Sequence, residues 1–227
     1  MIAYPEDFYT DRHAYTIHAA RTVLSMVLEA LPPVRSAIDV GCGVGTWLSV
    51  LIERGVRDVL GIEGEWVEGA PLVIPRQALQ LADLAHACPI GRRFDLAISL
   101  EVAEHLPEAS AEAYLDGLVA AADFVLFSAA IPGQGGVGHV NEQWPAYWAE
   151  KFAARGYVAL DCLRSRLWHD PAIPFWYRQN LLLIVRAERM PPSLAWSVPA
   201  TADGWPMALV HPDLYVASSG ADQAPMA

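Results

Sequence analysis

Ala37-Ile38-Asp39-Val40-Gly41-Cys42-Gly43-Val44-Gly45-Thr46-Trp47 is the stretch on which the fold turns. A short apolar run passes at once into glycines on alternate positions, and an apolar, helix-like run begins at Trp47. This order predicts a strand, a tight turn and a helix start. Glycine takes backbone conformations barred to residues with a Cβ and lets a ligand lie directly against the main chain. The N–H groups of such a turn, with the positive end of the helix behind it, suit a phosphate or a carboxylate.

Upstream, Asp11 can cap a helix in which Ile17, Ala20, Leu24, Val27, Leu28 and Leu31 recur at helical steps until Pro32-Pro33 stops it. Downstream, the strand Ser36 to Val40 leads through the glycines to a helix over Trp47 to Arg54, closed by Gly55. Further strands are expected at Val56 to Ile62, Gln77 to Leu81, Phe94 to Ser99 and Phe124 to Ala129, with a helix from Glu108 to Ala122 before the last of these. Strands alternating with helices predict a doubly wound α/β fold, with a mostly parallel sheet covered on both faces. Ligands of such sheets bind at the carboxyl ends of the strands. Glu63, Asp83, Glu101 and His139 all follow predicted strands, so they should meet on one edge.

From Ile131 the pattern changes to a loop containing Gly133, Gly135, Gly136 and Gly138, which runs into His139-Val140-Asn141-Glu142-Gln143-Trp144. A helix opened by Pro145 and ended by Gly156 follows, and Val158 to Cys162 and Asn180 to Arg186 read as two closing strands. Their connection carries Arg164, Arg166, Trp168, His169, Trp176, Tyr177 and Arg178, an aromatic and basic excursion in an acidic protein. The division expected is a helical cap over 1–35, a core domain over 36–189, and a Pro-rich tail over 190–227 that docks in places or is disordered.

The chain has 227 residues, 54% of them apolar, so it can bury a sizeable core. A net charge of −11, with the acidic residues scattered, argues against attraction to a nucleic-acid backbone or an anionic membrane. Neither partner is expected. Cys42, Cys88 and Cys162 are too few and too widely spaced for a disulfide framework or a metal cluster, and no metal is expected. No apolar run approaches the roughly 18 residues of a membrane span, and no leader pattern opens the chain, so a cytoplasmic protein is expected.

The turn alone does not choose its ligand. A dinucleotide fingerprint spaces its glycines G-x-G-x-x-G, whereas Thr46 stands here where the third should fall. Glu63, at the end of the second strand, is placed to accept both hydroxyls of a ribose. Asp83, after the third, can accept a hydrogen bond from an adenine amine, so the two acids suggest an adenosine cofactor. In Asp39-Val40-Gly41-Cys42-Gly43-Val44-Gly45, Glu63, Leu81-Ala82-Asp83 and Phe94-Asp95-Leu96-Ala97-Ile98-Ser99, the chain resembles the class I S-adenosylmethionine-dependent methyltransferases, over Ser36 to Arg186. That resemblance implies a Rossmann-like, seven-stranded sheet whose last strand is antiparallel. It also implies S-adenosylmethionine as cofactor, with Asp39 or the following Gly41, Cys42, Gly43 and Gly45 at its methionine end. Glu101 would line the methyl-transfer side, and Gly64, Leu84 and Leu100 complete the expected cofactor contacts.

The methyl group of such a donor is already electrophilic, so the protein must hold a nucleophile in line and remove a proton where needed. His139 is the expected general base because histidine titrates nearest neutral pH, with Glu142 to orient it and His105, in Glu101-Val102-Ala103-Glu104-His105-Leu106, as second candidate. Asn141, Trp144, Trp176, Tyr177 and Arg178 are expected around the acceptor, since aromatic rings stack on sugars or planar substrates and arginine binds phosphate or carboxylate. The expected activity is O-methylation of a small molecule, such as a sugar or a secondary metabolite in saccharide biosynthesis. The alternatives are a nucleic-acid or protein methyltransferase and a catalytically silent S-adenosylmethionine-binding regulator; monomer and homodimer both stay open.

Overall fold

The computed structural model describes residues 6–85, 90–197 and 204–219; Cys88 lies outside them. Helix α1 (Glu6–Ala30) is followed by β1 (Ser36–Val40), α2 (Thr46–Glu53), β2 (Asp58–Glu63), β3 (Leu79–Leu81) and β4 (Leu96–Leu100). Then come α3 (Ala111–Ala121), β5 (Phe124–Ser128), α4 (Pro145–Ala153), β6 (Tyr157–Leu160), α5 (Arg164–Leu167), α6 (Phe175–Asn180), β7 (Leu182–Arg186) and α7 (Pro212–Ser219). The strands form one seven-stranded sheet in the order β3-β2-β1-β4-β5-β7-β6. β1 to β5 pair in parallel, and β7 runs antiparallel to β5 and β6. The expected doubly wound sheet with an antiparallel last strand is the one observed.

Strand alternation sorts the side chains into two layers. Leu96, Ile98 and Leu100 of β4 join Ala20, Leu24 and Val27 of α1 and Leu48 and Leu51 of α2 on one face. Ala97, with Ile38 and Val125, joins Leu115 and Leu118 of α3 and Trp148 and Phe152 of α4 on the other. All five residues of β4 are buried, as a doubly covered parallel strand requires. Its one hydroxyl, on Ser99, is 2.7 Å from the Tyr114 hydroxyl of α3, so no polar group is stranded there.

Helix α1 begins ahead of Asp11, because neither glycine nor proline interrupts Glu6 to Ala30 and the helix gains another turn. Its buried residues share one core with the sheet. The chain beyond Met190 adds a short 3₁₀ segment, Pro192–Ser197, and α7. Among the described residues no helix is long and apolar enough to cross a membrane.

The chain winds outward from β1 to β3, returns, and winds the other way from β4, so the carboxyl ends of β1 and β4 lie side by side at the reversal. This is where a doubly wound sheet leaves a crevice.

Phe152, wholly buried against Phe127 and Tyr157, tests the packing of α4 on the sheet. Phe152→Ala is expected to lower the unfolding free energy by about 3–5 kcal/mol in denaturant titration. A loss below about 1 kcal/mol would contradict that packing.

Candidate active site

A cavity opens at this reversal point. Its floor is the glycine turn, with Asp39, Gly41, Cys42 and Gly43; its walls include Glu63, Trp66, Leu84, Leu100, Glu101, Val102 and His105; Arg12, Thr16, Trp47, Val137, Gly138 and Tyr177 close it. Of the residues singled out in sequence for the cofactor, Asp39, Gly41, Cys42, Gly43, Glu63, Leu84, Leu100 and Glu101 are thus brought together.

Two glycines show why the turn needs them. Gly41 has φ +85°, and a Cβ there would sit 2.3 Å from Val102 Cγ2. Gly43 has φ +54° and nothing within 4 Å of where its Cβ would be, so its bare backbone faces the cavity. The turn is tied to the end of β2, since the Gly41 and Cys42 amides both donate to the Ile62 carbonyl, at 2.8 and 3.2 Å. Glu63, also buried, accepts the amide of Gly43 on Oε2 at 2.7 Å and that of Gly64 on Oε1 at 2.9 Å. Burial pushes its carboxyl up, against those amides, which favour the charge. The Trp66 side chain also favours the charge, and the carboxylate keeps acceptor capacity for a ligand hydroxyl. Gly64 is required for another reason: the Trp66 ring lies where its Cβ would be.

Asp39 is buried, and its Oδ2 meets no hydrogen-bond donor among the described residues. Burial, and then the charge of Glu63, hold its carboxyl well above the usual value. A cationic or N–H-bearing ligand group would relieve this. Cys42 packs its sulfur against Gly61 and has its thiol pushed well up by burial, which suits a packing residue and not a nucleophile. Asp83 is exposed after β3 and accepts the Ala85 amide at 3.0 Å, while its neighbour Leu84 forms the wall.

At the far end, Glu101 takes φ +56°, the one described non-glycine residue with positive φ. Its carboxylate is fenced by amides: Asn180 Nδ2 donates to Oε1 at 3.1 Å and Gln134 Nε2 to Oε2 at 3.0 Å, while Asn180 also donates to Gln134 Oε1 at 2.9 Å. Burial still raises its pKa. Beyond it, His105 and His139 meet edge to face with centroids 4.8 Å apart. His139 Nδ1 is 2.8 Å from Glu142 Oε1, and Glu142 also accepts the amides of Gly133 and Gly135, both at 2.8 Å. Burial opposes the charge on Glu142, yet these bonds outweigh it and lower its pKa. His105 is held down to about 4 by burial and then by His139, so it is a neutral imidazole at pH 7.

The acceptor set divides. Tyr177 lines the cavity with its ring edge-on to Trp47 at 5.3 Å, and Trp176 stands behind it, half-buried against Tyr15. Asn141 is buried and donates its amide to the Glu104 carbonyl at 3.0 Å; Trp144 is exposed at the start of α4. Arg178 does not line the cavity: its guanidinium donates to the Trp168 carbonyl at 3.1 Å and pairs with Asp213 beside His211. Arg164 is likewise buried, reaching Asp161, the Gln179 carbonyl and the Met207 carbonyl. Both arginines fasten the C-terminal segment to the stretch that carries α5 and α6. Arg12, Thr16, Trp66, Gln134 and Asn180 were not singled out in sequence as site residues; only Trp66, an aromatic just past the ribose acid, carried a usable signal.

Fold and site define a class I S-adenosylmethionine-dependent methyltransferase. The chain belongs to the methyltransferase domain family, whose model matches residues 12–152. No curated protein matches it in sequence. Among solved structures it is similar to DesVI of Streptomyces venezuelae, at 17% identity over 79% of this chain and 95% of that one, with TM-score 0.59. It is also similar to CalS10 with bound S-adenosylmethionine, an amino pentose methyltransferase of Micromonospora echinaspora involved in calicheamicin biosynthesis, at 16% identity over 82% and 98%, TM-score 0.55. Magnesium protoporphyrin IX methyltransferase of Synechocystis PCC 6803, with bound S-adenosylhomocysteine, matches at 19% over 76% and 84%, TM-score 0.52. S-adenosylmethionine is the cofactor of this enzyme, and the buried Asp39 oxygen and the open Gly43 backbone fit such a ligand.

Asp39 gives a test in the ligand-free protein. An acid whose pKa is higher folded than unfolded holds its proton more tightly in the fold, so its contribution is complete below the ordinary value of 3.8 and is lost as pH rises above it. Asp39→Asn should therefore melt above wild type at pH 8, by a margin that shrinks towards pH 4, while binding S-adenosylhomocysteine more weakly. Melting curves parallel across that range would refute the uncompensated buried acid.

Proposed function

We propose that this methyltransferase transfers its methyl group to a hydroxyl of a small polar molecule, such as a sugar or a sugar-bearing secondary metabolite, with His139 as the group that accepts the hydroxyl proton. The observation that carries the reading is the His139–Glu142 pair directly behind His105 on the cavity wall. Glu142 holds Nδ1 and leaves Nε2 free to accept a proton, and the charge that would develop on the imidazole is stabilised by the carboxylate. Bound S-adenosylmethionine supplies a methyl group already activated by its positive sulfur. What this chain must add is placement of the acceptor oxygen and removal of its proton.

Glu63, fixed in place by the Gly43 and Gly64 amides, would hold the ribose; Asp39 and the bare Gly43 the aminoacyl end; Leu84, beside Asp83, the base; and Leu100 and Glu101 the methyl-transfer side. Tyr177 and Trp47 offer aromatic edges to a sugar ring. The loop carrying Gly133, Gly135, Gly136 and Gly138, each with positive φ, would close over the acceptor and exclude water. The amino pentose methyltransferase among the structural relatives supports a sugar acceptor and keeps an amine in view as the alternative nucleophile. The free, buried thiols of Cys42 and Cys162 are compatible with a reducing cytoplasm.

Turnover to S-adenosylhomocysteine, measured across a panel of sugars, amino sugars and glycosides, is expected with a hydroxyl acceptor. Turnover confined to amines, RNA or peptides would reject the assignment. His139→Ala should lower turnover at pH 7 by at least about 10²-fold with cofactor affinity within a few-fold; full activity would remove it as base. Gly136→Ala offers an independent check, because a Cβ there would lie 2.3 Å from His139 Nε2. It should reproduce much of the His139→Ala loss while leaving cofactor affinity intact, and unchanged kinetics would contradict the role given to that imidazole.

A further inference from the structure

Glu104 has no role in the mechanism above, yet it is the carboxylate on this edge of the sheet with both oxygens unpartnered among the described residues. It is wholly buried, and neither carboxylate oxygen makes a hydrogen bond of normal geometry with any described residue. The amides of Glu104 itself and Ala130 lie near enough to favour its charge. A buried carboxylate so placed needs either a proton or a cation. Two imidazoles face it. Among the described residues, Glu104, His105 and His139 each offer a ligand atom, all within 4.8 Å of one another.

We propose that Glu104, His105 and His139 form a binding site for one divalent transition-metal ion of the Zn²⁺ or Mn²⁺ kind, at the acceptor end of the cavity. The nitrogen roles are already sorted for it. His139 Nδ1 is taken by Glu142 at 2.8 Å, and His105 Nδ1 lies 3.4 Å from the Gly138 carbonyl, so Nε2 is the free nitrogen of each ring. A histidine held through one nitrogen by a carboxylate or carbonyl presents the other, correctly oriented, to a metal. The supporting backbone is tied as well: the Glu104 carbonyl accepts the amides of Val140, at 2.8 Å, and Asn141, at 3.0 Å, which brings the loop bearing His139 against the 3₁₀ turn Ala103–His105. Gly136 keeps a side chain away from His139 Nε2.

Two imidazoles and one carboxylate suit Zn²⁺ or Mn²⁺ better than Mg²⁺, which prefers oxygen ligands. Ligand atoms on a common ion with bonds of about 2.1 Å stand roughly 3–3.5 Å apart, so binding would draw the three groups inward, and the glycine-rich loop can give on the His139 side. Three protein ligands leave positions for water or an acceptor oxygen, and His105, unlike Glu104, lines the cavity. If the acceptor is the hydroxyl compound proposed above, its oxygen would bind the ion, release its proton to solvent and attack the methyl carbon as the carbon–sulfur bond breaks. His139 would then act as a ligand and not as the base. That consequence rests on the O-methylation reading; the ion site does not.

The test uses full-length protein stripped with EDTA and dialysed against Zn²⁺, Mn²⁺ or Co²⁺, with metal content, the Mn²⁺ paramagnetic resonance signal and Co²⁺ visible bands read in the absence of any acceptor. One ion per chain is expected, with affinity reduced at least about tenfold in His105→Ala, His139→Ala and Glu104→Gln and unchanged in the surface variant His18→Ala. S-adenosylhomocysteine affinity, read in parallel, certifies that each variant is folded, and the wild-type Co²⁺ spectrum stands even where a variant fails. Sub-stoichiometric binding by wild type, or binding unaffected in the His105→Ala/His139→Ala double variant, overturns the site. Stoichiometric binding with turnover untouched by EDTA would keep the site, reject its catalytic consequence and leave His139 as the base.

Discussion

The structure depends on what Glu63 does at the end of β2. Its carboxylate receives the amides of Gly43 and Gly64, from the turn after β1 and from its own strand end, and so locks two adjacent strand ends into one surface. A buried carboxylate is costly unless it is hydrogen-bonded, and here the donors are backbone groups that the turn would otherwise leave without partners. The same exchange fixes where a ligand can lie. Amides that could have bound an anion are engaged within the protein, that of Gly43 by Glu63, those of Gly41 and Cys42 by the Ile62 carbonyl and that of Gly45 by the Cys42 carbonyl, so the turn presents acceptors where a pyrophosphate site would present donors. This favours hydroxyl and cationic groups over a phosphate.

From that lock the site extends along the sheet edge to a second, more strained point. Glu101 holds a left-handed backbone, which costs of order 1–3 kcal/mol for a residue with a side chain. It is kept there by amides from two distant elements: Gln134 from the loop after β5, and Asn180 from the end of α6. Because Gln179 also donates to Gln134 at 3.1 Å, the loop, α6 and the end of β4 form one polar unit. The antiparallel β7 begins just after that unit, so the segment that completes the sheet also brings Asn180 to Glu101 on the cavity wall.

Sequence reading succeeded where information is local. The glycine turn, the apolar strands and the acids at strand ends are each legible from a few neighbouring residues, and together they gave the doubly wound sheet and the edge at which the site forms. It fell short where partners come from far along the chain. Arg178 reads as an acceptor ligand and Arg164 as part of a basic excursion, since nothing near them announces Asp213, His211 or the Met207 carbonyl. The approach of His105 to His139 depends on the Val140 and Asn141 amides reaching Glu104, a pairing with no sequence periodicity. Arg12 and Thr16 were hidden for another reason: α1 reads as an amphipathic helix for the core, and nothing in its sequence marks these two positions as overhanging a cavity.

Asp39, Glu63, Glu101 and Glu104 are four carboxylic groups raised by burial, gathered along one edge of a chain that is already strongly acidic. In a packing problem alone, apolar residues of similar size would be more stable there. The core beneath, with Leu48, Ile98, Phe127 and Phe152 almost wholly buried, supplies the stability that lets this edge remain under-compensated. Such an edge discriminates by charge. If these groups line the donor's site as proposed above, its positive sulfonium and ammonium would gain attraction from them, whereas the same molecule after losing its methyl is neutral at sulfur and would gain less. The burial that costs the empty protein stability would then also bias the occupied one towards taking up the charged donor and releasing the spent one.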